Sequence, residues 1–194
     1  MKRSAAALLL FGLTLSPAIF SAFQTNLSTE YPEAKDIAAN APTQADAIHW
    51  MSLEEMEKAL KKEKRKVLIV LYTDWCGWCK RLERETLQNP EIAAYINEHY
   101  YAVRFNAEQR KEQIFKNKKY EFVQAGRRGY NQLAYELTRG KLSYPTCVFL
   151  DENEELIQSI PGYKSAQDFR HIITFFGEDY YKKMSWDTFL KKRS

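Results

Sequence analysis

The chain has 194 residues, 45% of them hydrophobic and 14% aromatic, with three cysteines and a formal charge of +4. Twelve Tyr, eleven Phe and four Trp supply enough large side chains for the core of one domain without a disulfide framework. Nucleic acid is excluded as an expected partner. Removing residues 1–22 takes away Lys2 and Arg3 and no acid, and the near balance that remains offers no strong basic face for phosphate.

Lys2 and Arg3 precede an apolar run from Ala5 to Leu15, followed by Ser16, Pro17 and the small residues Ser21 and Ala22. This is the order of a secretory signal, so residues 1–22 are expected to direct export to the periplasm or another extracytoplasmic space. The apolar stretch falls short of the roughly 20 residues of a comfortable membrane span. Because Ile19 and Phe20 fit the small-residue rule poorly, an uncleaved N-terminal anchor is the alternative. No Cys follows the run, so no lipoprotein anchor is expected. Residues 23–47, rich in Ala, Thr, Asn, Glu and Pro without an apolar period, read as a linker or loose arm.

Residues 48–177 carry the pattern of a folded domain. Ser52 and Glu55 form a capping box before Leu53, Met56 and Leu60, which predicts a helix to about Lys64, its basic end matching the helix dipole. Val67 to Tyr72 is an unbroken β-branched run, as expected of a strand buried on both faces. Arg81 to Leu87 reads as helical. Asn89 with Pro90 caps a further helix that turns Ile92, Tyr95 and Ile96 inward, and Tyr101 to Phe105 is the next strand.

Residues 109–140 interrupt the alternation. From Gln109 to Gly129 they hold Arg110, Lys111, Lys116, Lys118, Lys119, Arg127 and Arg128 against Glu112 and Glu121. Asn117 and Lys118 are expected to turn a hairpin between Ile114-Phe115 and Tyr120-Phe122. A helix from Tyr130 to Thr138 is expected to end at Gly140. Thr146 to Leu150 and Glu155 to Ile160, flanking Asp151 to Glu154, read as a second hairpin. Ser165 caps a helix whose Phe169, Ile172, Ile173 and Phe176 keep helical spacing until Gly177 stops it. Residues 178–194 form an aromatic tail.

Two cysteines carry the chemistry. Cys76 and Cys79 stand at the junction of the buried strand and the following helix, where free backbone N–H groups stabilise a thiolate on the first. Cys79, one turn on, can close a disulfide with it. Gly77 is expected to allow a tight approach, and Trp75 and Trp78 to cover the pair while leaving Cys76 partly exposed. A zinc site is disfavoured, because Cys147, His49, His99 and His171 keep no ligand spacing. A static structural disulfide remains open, although so short a loop contributes little through chain entropy. Cys147, on a buried strand, reads first as a small hydrophobe.

Trp75-Cys76-Gly77-Trp78-Cys79-Lys80 after a buried strand, with Tyr144-Pro145-Thr146 leading into a later one, resembles the two signature sites of the thioredoxin superfamily. The resemblance covers roughly Val67 to Phe176. With the stretch from Glu85 to Glu108 and the exported context, it looks closest to extracytoplasmic thioredoxin-like proteins and the C-terminal domain of the DsbD type. It implies a three-layer α/β/α sandwich with a mixed central sheet and a basic hairpin insertion. It also implies a cis Pro145 facing the dithiol and a Tyr144 that helps bind the substrate backbone, beside Trp75, Gly77 and Trp78. Two departures stand out: Gly77-Trp78 between the cysteines, and Val70 where the family has a buried Asp. That leaves Glu83, Glu108 and water as candidates to take the proton from Cys79.

The implied activity is thiol-disulfide exchange, catalysed by Cys76 and Cys79 without metal or organic cofactor, the reductase direction being favoured. The partners would be proteins bearing disulfides or dithiols and a redox partner that recharges the pair, with the chain a monomer. A binding module with a structural disulfide and a disulfide isomerase are the rival readings.

Overall fold

The computed structural model describes residues 47–193. The expected signal and most of the expected linker lie outside them. The described chain is built on a five-stranded sheet of β1 (Trp50–Met51), β2 (Lys66–Tyr72), β3 (Tyr100–Asn106), β8 (Thr146–Leu150) and β9 (Leu156–Pro161), in the order β1-β3-β2-β8-β9. β2 pairs parallel with β3 and antiparallel with β8, which pairs antiparallel with β9. The apolar run from Val67 thus occupies the middle of a mixed sheet, and Val67 to Leu71 are all buried.

Strand alternation divides the core in two. Leu68, Val70, Ala102, Cys147 and Phe149 face α3 (Pro90–His99) and α5 (Ala166–Gly177) in one cluster. Val67, Ile69, Leu71, Val103, Phe105, Val148 and Leu150 face α1 (Leu53–Lys62) and α4 (Gln132–Leu137) in the other. These are the three expected layers.

The caps are where the residues place them. Ser52 and Glu55 form the reciprocal box, Asn89 accepts from Glu91 and Ile92 with Pro90 behind it, and Ser165 accepts from Asp168. The first helix stops at Lys62 rather than Lys64. The stretch after Cys79 is α-helical only through α2 (Gly77–Leu82) and continues as a π turn, Glu83–Leu87.

The basic insertion is more elaborate than one hairpin. β4 (Gln113–Phe115) and β5 (Lys118–Tyr120) turn at Lys116-Asn117, one residue earlier than expected, both residues adopting positive φ. That geometry matches the right-handed twist of paired strands. A second hairpin follows, β6 (Phe122–Ala125) with β7 (Arg128–Asn131), turning through Gly126 at φ +61°. Its last strand takes Tyr130 out of the expected helix, and Asn131 caps α4 instead.

α5 ends at Gly177 as expected, but the glycine is its last helical residue, with Glu178 as the C-cap, and a Cβ on it would sit 3.0 Å from the Tyr95 hydroxyl and 3.2 Å from that of Tyr100. Asp179, at φ +59°, makes the turn. Beyond it α6 (Trp186–Lys191) packs Phe189, 1% exposed, against Phe175, Tyr180 and Trp186. Lys66 at the start of β2 is 3% exposed and bridges Glu152 at 2.6 Å and Asp179 at 2.8 Å.

Candidate active site

β2 leaves the sheet at Tyr72, and the chain turns through Thr73, Asp74 and Trp75 into α2. The Cys76 N–H donates to the Thr73 carbonyl, and Cys76 takes the N-cap position, its Sγ accepting from the Cys79 N–H at 3.0 Å. Cys76 and Cys79 are joined, with sulfurs 2.04 Å and Cα atoms 5.2 Å apart. A cap is usually Ser, Thr, Asp or Asn because its oxygen accepts from the first turn. Here a sulfur fills that role, in a place that favours negative charge.

Register brings the second segment to the same end of the sheet. Thr146 pairs with Leu71, so the cis Tyr144-Pro145 bond lies where β2 runs out towards the cysteines. The Tyr144 ring meets that of Trp75 edge-on at 6.2 Å. The Pro145 carbonyl accepts from Gly162, which joins this segment to the loop after β9.

Two aromatic groups flank the pair. On one side Trp75, 52% exposed, donates its indole N–H to Glu108 and lies beneath the Arg128 guanidinium, 4.0 Å from the ring centre. On the other, Trp78, 56% exposed, stands 5.9 Å from Tyr163. Arg81 packs over both rings and pairs with Glu85, which also accepts from the Tyr163 hydroxyl. Hydrogen bonds from Arg81, Arg84 and Tyr163 hold the Glu85 carboxyl down at about 2.

Some expectations need correction. Cys76 is 4% exposed and Cys79 8%, so the first cysteine is buried rather than partly exposed. A Cβ on Gly77 would meet nothing within 4 Å, so closing the disulfide does not require glycine there. Glu108 is engaged by the Trp75 indole and Glu83 pairs with Arg104. Val70 is buried opposite Cys147, and no Asp or Glu is among the buried described residues. Burial pushes the Cys147 thiol up to about 12. Of the histidines, His49 donates its backbone N–H to Asn97, His99 stacks on Tyr95 and His171 packs on Phe189.

Arg81, Glu85, Tyr163 and Arg128 complete the surroundings of the cysteines and were not singled out by the sequence reading. Arg81 and Glu85, four apart on one helix face, could have been found as a pair. Tyr163, from the loop after β9, and Arg128, at the start of β7, are brought near only by the folded chain.

A mixed sheet, a dithiol at the head of a helix after the central strand and a cis-proline segment beside it define a disulfide-oxidoreductase scaffold of the thioredoxin superfamily. Residues 53–177 match the family model described as a thioredoxin-like domain, and the chain belongs to that family. Over 83 residues it is 34% identical to a thiol:disulfide interchange protein DsbD of Haemophilus ducreyi, spanning 42% of this chain but only 13% of that protein. A thioredoxin-fold protein from Helicobacter pylori is 27% identical with a TM-score of 0.51, covering 67% of this chain and 80% of its own. A DsbH oxidoreductase, 17% identical with a TM-score of 0.50 over 75% of this chain and 99% of its own, shares the fold.

Proposed function

We propose that the protein is an exported thiol-disulfide oxidoreductase that reduces disulfides in protein substrates, with Cys76 as nucleophile and Cys79 as resolver. The observation that carries the reading is the Cys76 sulfur at the N-cap, bonded by the Cys79 N–H and within disulfide range of Cys79. In the reduced protein the Cys76 thiolate attacks one substrate sulfur, and the other leaves as a thiolate. Cys79, losing its proton to water, then attacks Cys76 and releases the second substrate sulfur. Two electrons pass to the substrate, and the chain is left with the Cys76–Cys79 disulfide for a dithiol partner to reduce. Tyr144, Pro145, Trp75 and Trp78 would hold the substrate across the sulfurs.

Burial supports the reductase direction. Exposed disulfides tend to be the more oxidising and labile, and both cysteines of this one are buried residues. Export rests on the charged, apolar and small-residue order of residues 1–22.

The test uses single variants. Cys79→Ser should accumulate mixed disulfides with protein substrates through Cys76, whereas Cys76→Ser should capture almost none. Equal capture by both would return the pair to a structural crosslink. Equilibration with glutathione should leave the pair largely oxidised at ratios that keep a strong disulfide donor reduced, and the opposite outcome would reverse the direction.

A further inference from the structure

The insertion places an unneutralised cationic fork against the tryptophan that precedes Cys76. Of the eight cations of residues 109–140, the three lysines of the β4–β5 hairpin are paired within the domain. Lys116 pairs with Glu155, Lys118 with Glu136 and Lys119 with Glu112 and Glu121, while Arg110 lies over the Phe122 ring. Arg127 and Arg128, like Arg110, Lys111 and Arg139, have no ion pair among those of the described residues, but Arg128 is the one set against Trp75, although Glu108 is close to the same indole. The Glu108 carboxylate is taken by the Trp75 N–H, and Arg128 contacts the ring face instead.

The arm carrying these arginines is built to a fixed position. A Cβ on Gly129 would fall 2.2 Å from the Phe122 ring, so glycine is what lets that ring close over β7. The Asn131 N–H donates to the Ala107 carbonyl at 2.7 Å, Gln132 donates to Glu121, and Tyr130 stacks on Tyr135. Ala107 in turn donates to the Tyr72 carbonyl at the end of β2. Hydrogen bonds therefore tie the β6–β7 hairpin to the strand that delivers the cysteines. A guanidinium stacked on an indole keeps its N–H fork in a plane, the geometry that receives a carboxylate with two bonds.

We propose that the β6–β7 hairpin is a substrate-selecting arm, in which Arg127 and Arg128 bind an acidic side chain beside the target cysteine of a client polypeptide. The proposal rests on the exchange reading above and names the substrate class for the same site. Charge complementarity selects the occupant: two exposed guanidinium groups without ion pairs, Arg128 over Trp75 and its neighbour Arg127, favour Asp or Glu within a few residues of the attacked sulfur.

The test measures reduction of disulfide-linked peptide pairs by fully reduced protein, the peptides differing only in Glu, Gln or Lys flanking the cysteine. Wild type should prefer the Glu-flanked over the Gln-flanked peptide by about fivefold at low salt, what exposed pairs of this kind supply, the preference fading as salt screens it. The Arg127→Gln, Arg128→Gln double variant should bring that ratio to about one, and Arg128→Glu should invert it in favour of the Lys-flanked peptide. The ratio is the readout, so a variant that merely slows exchange does not mimic the effect. Equal rates in wild type, or a preference that survives in the double variant, would overturn the proposal. So would arginine-dependent binding to phosphatidylglycerol vesicles without peptide preference. Wild type that fails to reduce even uncharged 2-hydroxyethyl disulfide would overturn the exchange reading itself.

Discussion

Cys147 shows how far environment separates residues of one type. It lies one strand over from Val70 and is 2% exposed, with its thiol pushed up to about 12 by burial. Its thiolate is therefore scarce at any pH where Cys76 reacts. In reduced native protein, iodoacetamide at mildly alkaline pH should modify Cys76 while sparing Cys147, and unfolding should expose all three cysteines. Rapid labelling of Cys147 in the folded protein would contradict its burial. Two glycines offer a similar contrast. Gly77 has open space where its Cβ would be, whereas Gly177 is wedged against the Tyr95 and Tyr100 hydroxyls. Gly77→Ala should leave stability nearly unchanged, while Gly177→Ala should cost about 1–3 kcal/mol by overpacking, read as a lower denaturation midpoint.

At the level of elements, the four longer sheet strands and the caps were legible because each rests on a local rule, whereas the two-residue β1 (Trp50–Met51) carries no such signal and was not expected. Val67 to Tyr72 has one sensible place in a sheet, and Ser52, Asn89 and Ser165 are caps by chemistry alone. The insertion was not legible in the same way. Phe122 to Asn131 alternates poorly, and its pairing depends on the missing Cβ of Gly129 and on bonds to Ala107, neither of which has a period. The dithiol could be read from spacing and strand context, but the rim of Arg128 and Tyr163 could not, since tertiary contact alone assembles it, and Glu108, expected as a proton acceptor, is the partner of the Trp75 indole. Lys66 belongs to the same class, a polar residue opening an apolar strand whose reason lies in distant turns. Burial alone would lower its pKa, but hydrogen bonds and charge from Asp179 and Glu152 outweigh this and raise it. Both carboxyls are lowered in return, against their own burial. Their contribution to stability is full above the ordinary carboxylate range and lost as pH falls through their folded values. That of Lys66 is lost only as pH rises through its raised value. Lys66→Met should therefore cost about 1–3 kcal/mol at neutral pH, below the figure for a fully buried pair because both carboxylates reach water. The loss should shrink in acid, and a cost independent of pH between neutrality and strong acid would argue against the bridge.

Across the whole molecule, the family match ends at residue 177, yet the folded unit does not. Phe189 joins the core cluster of Phe169, Ile172, Phe175 and Phe176, and Lys66 anchors the turn at Asp179 that leads to it. The aromatic tail thus completes one side of the core, and its removal would uncover the apolar outer face of α5. Phe189→Ala should cost about 3–5 kcal/mol, the usual loss for a buried aromatic ring. Against a total stability of roughly 5–15 kcal/mol this is a large fraction, and it should lower the melting temperature by roughly 10 °C for a domain of this size. The dependence on denaturant should keep its slope, since the variant still unfolds as one cooperative unit. Deleting the chain after Gly177 should be worse, giving a protein that exposes α5 and aggregates. Were residues 178–193 an appendage, Phe189→Ala would leave the midpoint unchanged and the truncated chain would unfold with the same midpoint and slope as the full one.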